Sequence, residues 1–282
     1  MEIGVGLPNT VPGATGARVL EVARRAEAGP FASVGVLDRV AYRSLDPFPV
    51  LAAAAAVTSR VRLVTMVAVG PVRATAVLAK QAASVDQVSG GRLVLGLALG
   101  AREEDYAYVG ADPRGRGARF ANQLAALRDH WEDADVCPPP ARPGGPPVLV
   151  GGLAGSAMWR MARFAHGYVH GGGPPRAFAR AASDAFAAWA DAERPGRPEL
   201  WGQGYFALGG DDAVEAGAAY LRDYYAFTGP FAEKIVAGNL TSPGAVRDFV
   251  RGYAEAGCDH LILLPAVSDP SQVERLAEVV AP

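Results

Sequence analysis

At 282 residues, with 50% apolar and 20% charged side chains, the chain can bury a large core and is not composed like a disordered segment. Its 27 basic and 29 acidic residues give a net charge of -2, which argues against a generic binder of nucleic acid or anionic membrane. Two cysteines, Cys137 and Cys258, exclude a disulfide framework and a cysteine-built zinc site, and a reducing compartment is the simpler expectation.

The predicted elements alternate from the start. Ile3 to Leu7 reads as a buried strand ending at Pro8-Asn9, and Arg18 to Ala28 as a helix with Val19, Val22, Ala23 and Ala26 on one face. Ser33 to Leu37 is the second strand, with Asp38-Arg39 at its end. Asp46-Pro47 is an N-cap followed by proline at the first helical position, which starts a helix to Val57. Val61 to Val67 is a β-branched third strand. Ala76 to Val88 is helical and stops at Gly90-Gly91. Arg92 to Leu97 is the fourth strand, followed by a charged loop from Gly100 to Gly117 and a helix from Arg119 to Trp131.

Pro138 to Pro147 has the composition of a linker, yet Pro147 to Val150 resumes the strand rhythm and Gly155 to Ala165 the helical one. Gly167 to His170 is strand six, Pro175 to Ala192 a helix, Leu200 to Leu208 strand seven and Ala213 to Tyr225 a helix. Ser242-Pro243 starts a helix to Ala256. His260 to Leu264 is strand eight, and Asp269-Pro270 opens the last helix. Eight strands alternating with helices predict an α/β chain folded as one parallel (β/α)8 barrel over residues 1–282. A doubly wound sheet is the competitor, but Gly4-Val5-Gly6 lacks the rest of a dinucleotide fingerprint.

In such a barrel, chemistry gathers at the C-terminal strand ends. That rule admits Asn9, Asp38, Arg39, Met66, Val67, Ala68, Gly151, Gly152, His170, Gly171 and Gly172, and demotes Arg60, Arg92, His166 and His260 at strand starts. Gly151-Gly152 and Gly171-Gly172-Gly173 close neighbouring strands. They are either tight-turn chemistry or a cradle of backbone N–H groups for a phosphate. Asp38 with Arg39 could orient a polar heterocycle or relay a proton, or form a plain rim ion pair. Glu103-Glu104-Asp105 reads as a solvated loop or a helix start. His170 is placed for acid–base work. There are only four histidines, and no metal site is expected. There is no nucleophile elbow, P-loop or zincin motif. No apolar run nears the roughly 18 residues of a membrane span, and Met1-Glu2 leads straight into a strand. A cytoplasmic protein with neither membrane nor nucleic-acid partner is therefore expected.

The stretch from Ala79 to Gly96 (AKQAASVDQVSGGRLVLG) resembles the helix–turn–strand hallmark of the bacterial luciferase-like monooxygenase superfamily. Val36 to Arg39, Arg102 to Tyr106, Val148 to Gly152, Leu240 to Pro243 and Ala256 to Leu261 extend the resemblance over nearly the whole chain. It implies a (β/α)8 oxidoreductase using reduced FMN or the deazaflavin coenzyme F420, a small-molecule substrate and a homodimer. It also implies that Gly151, Gly152, Gly171 and Gly172 bind the cofactor phosphate. Met66, Val67 and Ala68 would back the ring at a bulge where relatives carry a cis peptide, with Asp38 and Arg39 near its reactive face. Ser89 to Arg92 would be fold chemistry at the far end. The chain departs from the family where deazaflavin relatives often carry His after the strand-two Asp (here Arg39) and Glu after the strand-four glycines (here Ala101). The strand-four end is also poorer in glycine than usual, and His166 replaces a usual Asp. The favoured expectation is hydride transfer from reduced F420 to a C=C, C=N or C=O group. The alternatives are FMN-dependent monooxygenation, a silent cofactor-binding paralogue, and a non-redox barrel with a phosphorylated substrate.

Overall fold

A computed structural model describes residues 1–152 and 155–281. The strands are β1 (Glu2–Gly6), β2 (Ser33–Val36), β3 (Arg62–Thr65), β4 (Ala68–Val69), β5 (Leu93–Ala98), β6 (Val148–Gly151), β7 (Gly167–Val169), β8 (Glu199–Phe206) and β9 (His260–Pro265). All pairings are parallel, in the order β3-β2-β1-β9-β8-β7-β6-β5-β4, and β3 also pairs β5, so the sheet closes on itself. β3 and β4 are two halves of one stave that both pair β5, so the barrel has eight staves. This is the parallel (β/α)8 barrel the alternation predicts.

The helices are α1 (Gly16–Ala28), α2 (Pro47–Ala55), α3 (Thr75–Val88), α4 (Glu103–Tyr108), α5 (Arg116–Glu132), α6 (Gly155–Phe164), α7 (Pro175–Asp191), α8 (Asp211–Tyr224), α9 (Phe231–Ala237), α10 (Pro243–Glu255) and α11 (Gln272–Val280). Local chemistry sets their ends. Thr15 accepts from the Arg18 N–H at 3.3 Å to start α1, and Asp46 from the Phe48 N–H at 3.0 Å to start α2 with Pro47 behind it. Ser242 accepts from the Ala245 N–H at 3.2 Å to start α10. Two helices lie in segments predicted as loops. α4 places Glu103, Glu104 and Asp105 in its first turn, the helix-start reading of that acidic run. α9 has seven residues, too few to show a periodic face in the sequence.

Strand alternation sorts the apolar residues into two layers. Val64, Val94, Leu149, Val169, Trp201 and Ile262 fill the barrel, while their neighbours Leu63, Leu93, Val148, Val150 and Leu261 pack outward on the helices. The fill is dry enough that Trp201 is fully buried, stacked 4.1 Å from His260. No described helix is long and apolar enough to cross a membrane.

The Ser89 to Arg92 turn lies at the N-terminal end of the staves. The Arg92 guanidinium donates to the carbonyls of Ala55, Thr58, Val61 and Ser89 and to the Thr58 hydroxyl, at 2.8–3.1 Å. One cation thereby satisfies the last carbonyl of α2, which has no intrahelical partner, and two carbonyls of the connection from α2 to β3. The role is architectural.

Candidate functional site

The mouth of the barrel is built around an interruption of stave three. The third strand does not run unbroken from Val61 to Val67; it stops at Thr65 and resumes at Ala68, with a cis peptide between Met66 and Val67. Met66 points into the barrel fill, and Val67 is left partly exposed at the mouth. Glycines on the next staves make room for it. A Cβ on Gly96 of β5 would lie 3.0 Å from Val67 Cγ1, and one on Gly151 of β6 would lie 3.5 Å from the same atom and 3.6 Å from the Ala98 Cβ. Val67, Ala98 and Gly151 therefore form one smooth floor across three staves.

Asp38 anchors this floor from beneath. Its carboxylate accepts from the Val69 N–H at 2.9 Å and from Arg73 Nη2 at 3.1 Å on both oxygens, and Arg73 also reaches Asp46 at 2.9 Å. Burial raises the Asp38 pKa above the ordinary carboxylate value, with Arg73 and the Val69 N–H pulling the other way. Asp38 and Arg39 do not pair with each other, which corrects both the relay and the rim-pair readings. Successive residues at a strand end point to opposite sides. Asp38 turns to the bulge, and Arg39 turns across the mouth to the Tyr224 carbonyl at 3.2 Å and to Glu104 at 3.7 Å.

The two glycine clusters stand beside this floor. Gly152 has φ +140°, open only to glycine, and a Cβ there would meet the Ala157 Cβ at 2.9 Å. At Gly171 and Gly173 a Cβ would meet nothing within 4 Å. The cradle's carbonyls are already taken: Gly152 O by the Tyr168 hydroxyl at 2.7 Å, Gly171 O by Gln203 Nε2 at 3.1 Å, and Gly173 O by the Tyr253 hydroxyl at 2.9 Å. The N–H groups of Gly171 and Gly173 have no protein acceptor among the described residues. Buried Gln203 also keeps an unpartnered Oε1. An anion that accepts hydrogen bonds fits the Gly171 and Gly173 N–H groups, while the Gln203 Oε1 is itself an acceptor and offers an anion nothing.

Arg160 escaped the sequence reading. It sits one turn into α6, 8% exposed, bonded to the Ser156 carbonyl at 3.1 Å and hydroxyl at 3.4 Å, with no carboxylate within 4.0 Å among the described residues. Burial pushes its pKa down. The readable signal was a Ser–Arg pair four residues apart on the helix behind the glycine turn.

His170 stands differently from its expected role. Val169 points into the barrel, so His170 points outward, its ring 5.7 Å from Phe178 of α7 and 6.3 Å from Tyr168. Both ring nitrogens lack a partner of ordinary geometry, and burial lowers its pKa, with the Gly172 backbone opposing. It lies under the glycine loop, on the helix side of the sheet.

The wall facing Val67 is aromatic and cationic. Tyr205 and Tyr225 share a 2.8 Å hydrogen bond between hydroxyls, Tyr220 meets Thr10 at 2.6 Å, and the Tyr42 hydroxyl donates to Asp223 at 2.5 Å. Burial raises the pKa of all of these phenols and of Tyr224. They stay protonated at neutral pH and act as donors. Arg39 and Arg102 stack on this wall.

The sequence profile described as luciferase-like monooxygenase matches residues 1–260. The chain belongs to the luciferase-like monooxygenase family, a class of oxidoreductases on a parallel barrel. It is 31% identical over 192 residues to the uncharacterized protein Rv0940c of Mycobacterium tuberculosis; the match covers 55% of this chain and 66% of that protein's length. In fold it is similar to an F420-dependent secondary alcohol dehydrogenase solved with an F420-acetone adduct (TM-score 0.81, 18% identity, 99% of this chain and 98% of that one). It is also similar to the oxygenating constituent of 3,6-diketocamphane monooxygenase from Pseudomonas putida, a type II Baeyer-Villiger monooxygenase solved with FMN (TM-score 0.78, 16% identity, 100% and 96%). One neighbour thus carries deazaflavin and the other flavin.

Proposed function

We propose that the protein binds a phosphorylated flavin-type cofactor at the barrel mouth and reduces a small organic substrate, with coenzyme F420 as the preferred cofactor and FMN as the alternative. The carrying observation is the contiguity of Val67, Ala98 and Gly151 as a side-chain-poor floor opening onto the glycine cradle. A planar tricycle needs such a floor, and its anionic tail needs donors at one end. When bound, the cofactor supplies a hydride equivalent for a C=C, C=N or C=O group, or with FMN a route to oxygen.

The chain's own residues supply the rest. Gly152, Gly171, Gly172 and the Gly173 N–H would hold the phosphate, and Arg160, buried on the helix that follows Gly152, is the candidate cation. Met66, Val67 and Ala68 would back the ring, and Asp38 with Arg73 fixes the β4 end of that backing through the Val69 N–H. The aromatic wall excludes water and orients the substrate. Asp38 is committed to Arg73 and Val69, and His170 faces α7. The protonated Tyr205–Tyr225 pair is therefore the donor best placed at the mouth. Ala101 and Arg39, where deazaflavin relatives often hold Glu and His, favour the alternative of a different relay or of binding without turnover.

Titration of the purified protein with F420 and with FMN, followed by absorbance and by quenching of cofactor fluorescence, tests the reading. Saturable binding of one of them is expected. Binding of neither would return the barrel to non-redox chemistry.

A further inference from the structure

We propose that Arg39 and Arg102 form a carboxylate clamp, and that the substrate is a small monocarboxylate with a planar or apolar body. The inference takes the barrel mouth as the site and so rests on the functional reading above. The two guanidiniums come from different staves, one after β2 and one after β5, and converge on a single acceptor. Arg39 Nη1 and Arg102 Nη2 each donate to the Tyr224 carbonyl at 3.2 Å. Two cations sharing one neutral oxygen is the arrangement in which a carboxylate would take a hydrogen bond from each.

The local charge is not balanced. The Arg39 side chain is 10% exposed and its one carboxylate within 4.0 Å is Glu104, at 3.7 Å and 59% exposed. Arg102 is buried, with no carboxylate within that distance among the described residues. The Nε of each is buried and unpartnered. Tyr224 ends α8, so the helix dipole adds only about half a negative charge beside two whole positive ones. Two acids stand on the same segments: Asp105 accepts from the Ala41 N–H on Oδ1 at 2.7 Å and keeps a buried, unpartnered Oδ2, and Asp223 accepts from the Tyr42 hydroxyl. Buried charges are ordinarily paired, and beyond Glu104 at 3.7 Å neither guanidinium has a carboxylate within 4.0 Å among the described residues.

The surroundings set the body of the ligand. Arg39 lies 4.6 Å over Tyr42, and Arg102 lies 4.5 Å over Tyr224 and 4.2 Å over Phe227. Stacking holds the guanidinium faces against rings and leaves their N–H edges for an anion. Tyr225 of this wall and Val67 of the floor pack against the same apolar cluster that fills the barrel.

Benzoate and its uncharged analogue benzamide are the probes, measured by calorimetry with and without F420 or FMN. The wild-type protein is expected to bind benzoate at least tenfold more tightly than benzamide and to lose that preference as salt rises. Arg39→Gln and Arg102→Gln, each checked for a native melting profile, should each abolish it. No benzoate binding, equal affinity for the two probes, insensitivity to salt, or a preference that survives in both variants would overturn the clamp. Discrimination of benzoate in a protein that binds neither cofactor keeps the clamp and sinks the cofactor reading. Cofactor binding without discrimination does the reverse.

Discussion

Gly171 offers the cleanest single-residue test of the cradle, because a Cβ there meets nothing within 4 Å, whereas at Gly152 both φ +140° and the Ala157 contact would confound the result. Gly171→Asp should leave the melting temperature near the wild-type value and weaken cofactor binding at least tenfold, about 1.4 kcal/mol, in a fluorescence titration. An unchanged affinity would move the phosphate elsewhere. Asp38 and Arg73 make a second residue-scale prediction. Removing the guanidinium in Arg73→Leu strands a buried carboxylate and should cost about 3 kcal/mol at pH 7 by urea melts. Burial already raises the folded pKa of Asp38 above its unfolded value, and losing Arg73 raises it further. A raised carboxylate pKa gives stability that is present at low pH and lost as pH rises. The deficit should therefore narrow between pH 7 and pH 5. The sequence showed that Asp38 and Arg39 end a strand. It did not show that they diverge, because Arg73, the partner of Asp38, is 35 residues away and Glu104 and Tyr224, the partners of Arg39, are farther still.

Elements with their signals in local chemistry were legible. Asp46-Pro47, Ser242-Pro243 and Gly90-Gly91 mark helix ends that the structure bears out, and the Ser89–Arg92 turn holds α2 to the barrel as expected of fold chemistry. Arg92→Ala should cost about 2–4 kcal/mol in stability, since the Ala55, Thr58, Val61 and Ser89 carbonyls lose a charged donor together, and should leave cofactor affinity unchanged. A loss of affinity at constant stability would place Arg92 in the site. Short or broken elements were not legible. Stave three reads as one continuous strand from Val61 to Val67, and only its pairing of both halves with β5 reveals the interruption after Thr65. α4 and α9, of six and seven residues, are too short for periodicity to show.

For the molecule as a whole, the two ends of the barrel divide stability from chemistry. At the N-terminal end, Glu199 takes hydrogen bonds from His260 and Trp201 at 3.1 Å and lies 3.6 Å from Arg62. Burial would raise its pKa, but these partners outweigh burial and hold it at about 2. A depressed carboxylate pKa contributes stability above the unfolded value, about 4.3, that is lost as pH falls toward 2. Glu199→Gln should therefore be less stable than wild type at pH 6 and converge with it in acid; parallel curves down to pH 2 would refute the assignment. The sequence by itself determined the alternating strands and helices, hence the barrel, and the family resemblance with its glycine turns, because hydrophobic periodicity and turn chemistry act over a few residues. Tertiary structure alone decided that Val67, Ala98 and Gly151 make one floor, that Arg39 and Arg102 meet at Tyr224, and that His170 faces α7. Those facts depend on how staves far apart in the chain are registered when the sheet closes.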